Sequence, residues 1–181
     1  MIKRAVAVRV QADPPAPKPG EPVTFTATLI NAGAGHKIPT GDPDRHFTVE
    51  FVVQDRDGRV VAHQTDTMGR WILWQPVVLE VYDNRLLPLA SREYTFRTRM
   101  PEGDGGLTLK TLVRYHILTD DQHQTLRTRY GLTGDDPYRF TIYERAFPLS
   151  QDLKAEIERA AYDPQMACAV DGKGKNLYKP S

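Results

Sequence analysis

Alternation of apolar and polar residues at period two runs through much of this chain, and it constrains the fold more than any other feature. Val23, Phe25, Ala27 and Leu29 point one way, and Thr24, Thr26 and Thr28 the other. Phe47, Val49, Phe51 and Val53 alternate with His46, Thr48 and Glu50; Tyr94 and Phe96 alternate with Glu93, Thr95 and Arg97. The longest stripe joins Leu107, Leu109, Thr111, Val113, Tyr115 and Ile117. This period is that of a strand with one face buried. Residues 4–10, 77–82 and 138–144 are weaker strand candidates. Residues 59–63 follow 47–54 across Asp55-Arg56-Asp57-Gly58, a hairpin turn.

The 14 prolines and 13 glycines favour many short elements over a few long ones. The expected fold is therefore all-β: an immunoglobulin-like antiparallel β-sandwich of about seven to eight strands. A single Cys excludes an internal disulfide and any zinc site built from several thiolates. The sandwich domain is expected over residues 4–145, with residues 1–22 supplying a first strand and a stiff Pro-rich lead-in. Residues 146–181 are expected to hold a short C-terminal helix, near 150–161, and an extended irregular tail. Ser150 is placed as N-cap with Asp152 in the first turn, and Leu153, Ile157 and Ala160 share one face. In the tail only Leu177 and Tyr178 are large and apolar, so an ordered tail implies a partner that holds it.

Lys and Arg number 24 against 23 Asp and Glu, so net charge gives no reason to expect nucleic acid or an anionic membrane. No apolar run approaches the ~20 residues of a transmembrane helix. Residues 1–10, MIKRAVAVRV, are too short and too interrupted by Arg9 for a secretory signal. The chain is then cytosolic, a mature or truncated form, or part of a longer polypeptide.

Residues 31–46 read NAGAGHKIPTGDPDRH. Asn31, Gly33 and Gly35 suit left-handed turns, and Pro39 stiffens the backbone after them, so His36 is expected on a rigid loop at a strand end. This segment resembles a loop in the C-terminal β-sandwich domain of multihaem c-type cytochromes, which runs approximately Asn-x-Gly-x-Gly-His-x-x-Pro-Thr-Gly. Asn31, Gly33, Gly35, His36, Pro39, Thr40 and Gly41 match it. A hydrophobic strand and an Asp57-Gly58 turn come next, as in that family, and residues 83–96, DNRLLPLASREYTF, are similar to its later link and strand. The resemblance spans about residues 5–145 and implies a periplasmic or extracellular location and a haem-bearing partner. One departure is plain: haem c is attached through Cys-x-x-Cys-His, and Cys168 stands alone. Haem is expected on a partner chain or a segment outside this one, or lost.

His36 then has two readings. It braces its own glycine-rich loop, or it offers a neutral imidazole to a partner's haem iron. Gly33, Gly35, His36, Pro39, Thr40, Gly41 and Asp42 together are the expected interface loop. Asp42, Asp44 and His46 could join His36 around a metal, but their spacing matches no closed zinc pattern, and turn carboxylates more often serve local hydrogen bonds. Asp120, Asp121 and His123 are read as a hairpin tip without calcium-loop spacing. Trp71 and Trp74 are expected in the core or an interface, a ligand platform being the alternative. Cys168, near Lys173 and Lys175, has no base close in sequence and is read as an unpaired thiol. No Gly-x-Ser-x-Gly elbow, phosphate loop or dinucleotide fingerprint occurs; of Ser91, Ser150 and Ser181 none sits in a nucleophile context.

The favoured expectation is a non-catalytic domain or subunit that packs on a multihaem c-type cytochrome and supports electron transfer. The alternatives are a protein- or carbohydrate-binding sandwich module and an enzyme with a dispersed site.

Overall fold

The computed structural model describes residues 2–102, 106–132, 138–153 and 158–159. Its elements are α1 (Ile2–Ala5), β1 (Val6–Asp13), β2 (Pro22–Asn31), β3 (His46–Gln54), β4 (Val60–Met68), β5 (Arg70–Leu73), β6 (Leu79–Asp83), β7 (Ser91–Arg99), β8 (Thr108–His116), α2 (Asp120–Tyr130), β9 (Arg139–Pro148) and β10 (Glu158–Arg159). Two antiparallel sheets, β10-β1-β2-β7 and β4-β3-β8-β9, form the sandwich, and β5 and β6 make a separate two-stranded hairpin. The fold is the all-β sandwich that the alternation predicts.

The inward stripes meet as one core. Phe25, Ala27 and Leu29 of β2 and Phe47, Val49 and Phe51 of β3 are each fully buried. Phe96 of β7 is the joint between sheets: its ring lies 6.2 Å from Phe25 and 6.0 Å from Phe51. Each such Phe, Val or Leu side chain contributes roughly 1.5–3 kcal/mol through burial. Asp55 closes the β3–β4 turn, its carboxylate accepting from Asp57 N and Arg59 N at 2.9 Å, with Gly58 at φ +77°.

Two expectations are corrected. Residues 150–153 are not helical; Ser150 and Gln151 turn, and Leu153 is buried in the core. Ala12 N donates to Leu153 O at 3.2 Å and Leu153 N to Pro15 O at 2.9 Å, so the chain here satisfies backbone groups beside β1. Glu158 and Arg159 pair with Val8 and Ala7 as a strand, which the expected helix forbids. The rest of that helix, the tail and Cys168 lie outside the described residues. Asp120, Asp121 and His123 lie in helix α2, not in a hairpin tip. Thr119 and Gln122 form a reciprocal capping box, and Gly131 ends the helix at φ 62° with its N–H on Arg127 O.

The registers sort the connections by end. Asn31 pairs with Val6, Ile30 with Ser91, Phe47 with Met68, and His46 with His116. Residues 32–45, the β5–β6 hairpin with its link to β7, and α2 all leave from that one end.

Candidate functional site

The loop that carries His36 is built on Asn31, whose side chain is fully buried at the end of β2. Its Nδ2 donates to His36 O at 2.9 Å and to Leu86 O at 3.3 Å, while Ala34 N donates to its Oδ1 at 3.1 Å. One amide thus ties the start of the loop to the link after β6. Ile38 and Leu86 form an isolated bridge, with N···O distances of 2.9 and 3.0 Å, and both are buried. The loop is pinned to the core two residues past His36.

The glycines act differently from the left-handed role expected of them. Neither Gly33 nor Gly35 has positive φ. A Cβ at Gly33 would sit 2.5 Å from Arg4 O, so this position needs glycine for close backbone approach; at Gly35 nothing lies within 4 Å. Gly41 is the left-handed one, at φ +105°.

The imidazole of His36 is exposed. Its Nδ1 lies 3.1 Å from Lys37 O and 3.1 Å from Thr40 Oγ1. Thr40 Oγ1 donates its hydrogen to Lys37 O at 3.3 Å, so it does not donate to Nδ1; Nδ1 then carries the hydrogen toward the same carbonyl and the lone pair falls on Nε2. No polar partner meets Nε2 among the described residues. This is the arrangement in which one nitrogen braces the ring and the other can bind a metal centre.

Flanking residues fasten the loop to the hairpin. Lys37 Nζ contacts Asp83 Oδ2 at 2.7 Å, and Arg85 holds the same carboxylate through Nε and Nη2 at 2.8 Å. The Arg85 guanidinium first, opposed by burial and aided by Lys37, keeps the Asp83 carboxyl well below the usual carboxylate range. Arg70 donates to Gly41 O at 3.3 Å. Gly69 N donates to Asn84 Oδ1 at 2.7 Å, Asn84 Nδ2 to Thr67 O at 3.2 Å, and Arg92 to Asn84 O.

Asp42, Asp44 and His46 do not join His36. Among the described residues no three His, Cys, Asp or Glu side chains converge on one point. Arg45 N donates to Asp42 O, and the Asp42 carboxylate is exposed, 3.9 Å from Arg45 Nη2. His46 turns to the outer face of its sheet and stacks on His116, ring centroids 4.5 Å apart and planes at 11°.

That outer face holds a polar ladder that the alternation alone did not reveal. Thr48 Oγ1 is 3.0 Å from His116 Nε2 and donates to Glu50 Oε1 at 3.0 Å; Arg114 Nη1 lies 2.7 Å from both Glu50 oxygens. Because the Thr48 hydroxyl hydrogen goes to Glu50, His116 Nε2 is the donor to Thr48. Burial first, then His46, pushes the His116 pKa down to about 4. Placing a His on the polar side of an alternating stripe was the one available signal.

Trp71 and Trp74 are 53% and 59% exposed, which excludes core burial. They stand on the hairpin, Trp71 across from Tyr82 with centroids 6.5 Å apart. Asp120 and His123 contact Tyr138: its hydroxyl donates to Asp120 Oδ1 at 3.0 Å and its ring stacks on His123 at 3.8 Å. Ser91 opens β7, and Ser150 lies in a turn.

The molecule is thus an antiparallel β-sandwich that gathers its long excursions, and a braced imidazole, at one end. Among solved structures, its fold is shared with part of a penta-haem cytochrome c552 from Thermochromatium tepidum, at TM-score 0.62 and 17% identity. That match covers 82% of this chain but 40% of the cytochrome, so the chain spans well under half of that protein's length. The ApaA protein of Bordetella pertussis aligns over 79% of this chain and 90% of its own at TM-score 0.36 and 15% identity, too loosely to carry an argument. No protein-family model matches the chain. No curated protein matches it either. No helix among the described residues is long and apolar enough to cross a membrane.

Proposed function

We propose that this chain is a non-catalytic sandwich domain or subunit that packs on a haem-bearing partner of the multihaem c-type cytochrome kind. It supports electron transfer there and offers His36 as an axial ligand, in a periplasmic or extracellular setting. The observation that carries the reading is the exposed His36 ring, its Nδ1 held within its own loop and its Nε2 without a polar partner among the described residues. The likeness in fold to part of a penta-haem cytochrome supports the choice of partner.

The donor set fits one axial position and no more. A single imidazole can complete the coordination of an iron already held elsewhere. Covalent attachment through Cys-x-x-Cys-His has no counterpart in this sequence. When bound, the haem supplies the redox chemistry. The chain's own work is to hold the imidazole, through Asn31, Thr40 and the Ile38–Leu86 bridge, and to keep water from the covered face.

The test is isolation of the tagged chain with its native partner under mild conditions, followed by absorption spectra and a pyridine haemochrome assay. A stoichiometric partner carrying covalent haem is expected, with Soret and α bands that move on His36→Ala. A stable native complex without haem overturns the reading. Bands unchanged by His36→Ala leave the packing role and return His36 to a loop brace.

One observation favours a second reading, a protein- or carbohydrate-binding module: the exposure of Trp71 and Trp74 on a projecting hairpin. Saturable binding of a defined oligosaccharide, lost on Trp74→Ala, would support it.

A further inference from the structure

The β5–β6 hairpin pairs with neither sandwich sheet. Residues 71–79 carry no charge. Trp74, Val77 and Val78 are 59%, 62% and 69% exposed, and no sheet of the sandwich covers them. Leu87 and Leu89 of the following link are also exposed, at 56% and 83%, so this excursion gathers several large apolar side chains in solvent. Large apolar side chains gathered in this way mark an interaction surface. Leu89 is 83% exposed at φ 61°, so the link presents a large apolar side chain against both solvation and backbone preference.

The base of the hairpin is tied to the His36 loop. Arg70 and Asp83 pair with each other there: Asp83 holds Lys37, and Arg70 donates to Gly41 O. His36, hydrogen-bonded to Thr40, lies next to the stretch that the hairpin base grips. An occupant of this end meets the apolar hairpin and, at its base, the loop that carries the imidazole.

Resting on the axial-ligand reading of His36, we propose that the hairpin is the docking arm for the partner's haem, Trp71 and Trp74 covering its apolar edge while His36 addresses the iron. A haem with an open axial position supplies what both features lack, an apolar disc and a Lewis-acid centre. A second copy of the chain offers the Nε2 lone pair no metal. An anionic lipid surface calls for uncompensated cations around the tip. Here the tip, residues 71–79, holds no Lys or Arg, and the nearby cations are engaged at the base, Arg70 4.0 Å from Glu80 and Lys37 and Arg85 on Asp83.

The test uses the full chain and a short haem c peptide with one axial His and an open sixth position. Trp71 and Trp74 are the only two tryptophans, so all Trp fluorescence reports the hairpin. Saturable Trp quenching together with a Soret shift is expected. His36→Ala should abolish the Soret shift and retain quenching. The double variant Trp74→Ser/Val78→Ser should weaken binding at least tenfold while the Soret shift at saturation persists. A Soret shift without quenching, or with unchanged affinity in the double variant, overturns the docking arm and leaves the axial-ligand reading standing. Absence of both signals overturns both. Dimerisation in sedimentation that disappears on Trp74→Ser, or a blue shift with phosphatidylglycerol vesicles in place of quenching by haem, reassigns the arm to a second copy or to lipid and overturns the proposal.

Discussion

Asn31 Nδ2 and the His36 carbonyl oxygen are 2.9 Å apart, so a fully buried amide at a strand end holds the backbone of an exposed imidazole five residues on. The same amide reaches Leu86 O, 55 residues away in sequence. The loop's position is therefore set from inside the core rather than by the loop itself.

Asn31→Asp is the sharpest probe of that arrangement. It replaces a donor by an acceptor facing two carbonyl oxygens. A loss of about 3 kcal/mol is expected, against ~1–3 kcal/mol for Asn31→Ala, because the unpaired buried group adds its desolvation cost. Urea titration measures both; an Asp variant as stable as the parent contradicts the account.

Gly33 and Gly35 look alike in sequence and should behave differently. Gly33→Ala drives a methyl against the Arg4 backbone and should cost ~1–3 kcal/mol. Gly35→Ala meets nothing and should change stability by less than ~0.5 kcal/mol. Thermal melts of the two variants, run side by side, should show one shifted transition and one unshifted.

His116 should make stability depend on pH in a defined window. Its folded pKa of about 4 lies below the unfolded value near 6.5. The unfolded chain thus binds more protons between those values, and stability falls as pH drops from ~6.5 to ~4. The loss is on the order of 3 kcal/mol. Asp83, held low, loses its contribution only below ~3.9 as pH falls, so the windows separate. His116→Gln should flatten the upper window; an unchanged slope there would point to another group.

The purified chain without a partner should be colourless. Cys168 is its single Cys, and no Cys-x-x-Cys-His occurs. Haem detected by pyridine haemochrome after acid–acetone extraction would contradict this.

The strands were legible where one face is buried. Phe25 in β2, Phe47 in β3, Phe96 in β7 and Val113 in β8 each sit on an inward stripe whose neighbours face out or sideways. β5 escaped because Trp71, Ile72 and Leu73 are consecutive apolar residues on a hairpin outside the sandwich, where no period is imposed. Helix α2 escaped because it buries nothing, although Thr119, Gln122 and Gly131 wrote its two ends into the sequence. Near Leu153 the apolar spacing suggested a helix, but the open backbone of Ala12 and Pro15 claimed that segment for extended pairing. The His36 loop was legible as a rigid turn. Its dependence on Leu86, and the contact of Thr48 with His116, were not, since both rest on strand register across long separations.

Helix α2 has one more consequence. A capped helix with no buried residue draws no stability from the core, so its amides should exchange with deuterium far faster than those of β8 beside it. Since it leaves the same end as His36, slowed exchange in α2 upon mixing with a candidate protein would register contact there without any label or substitution.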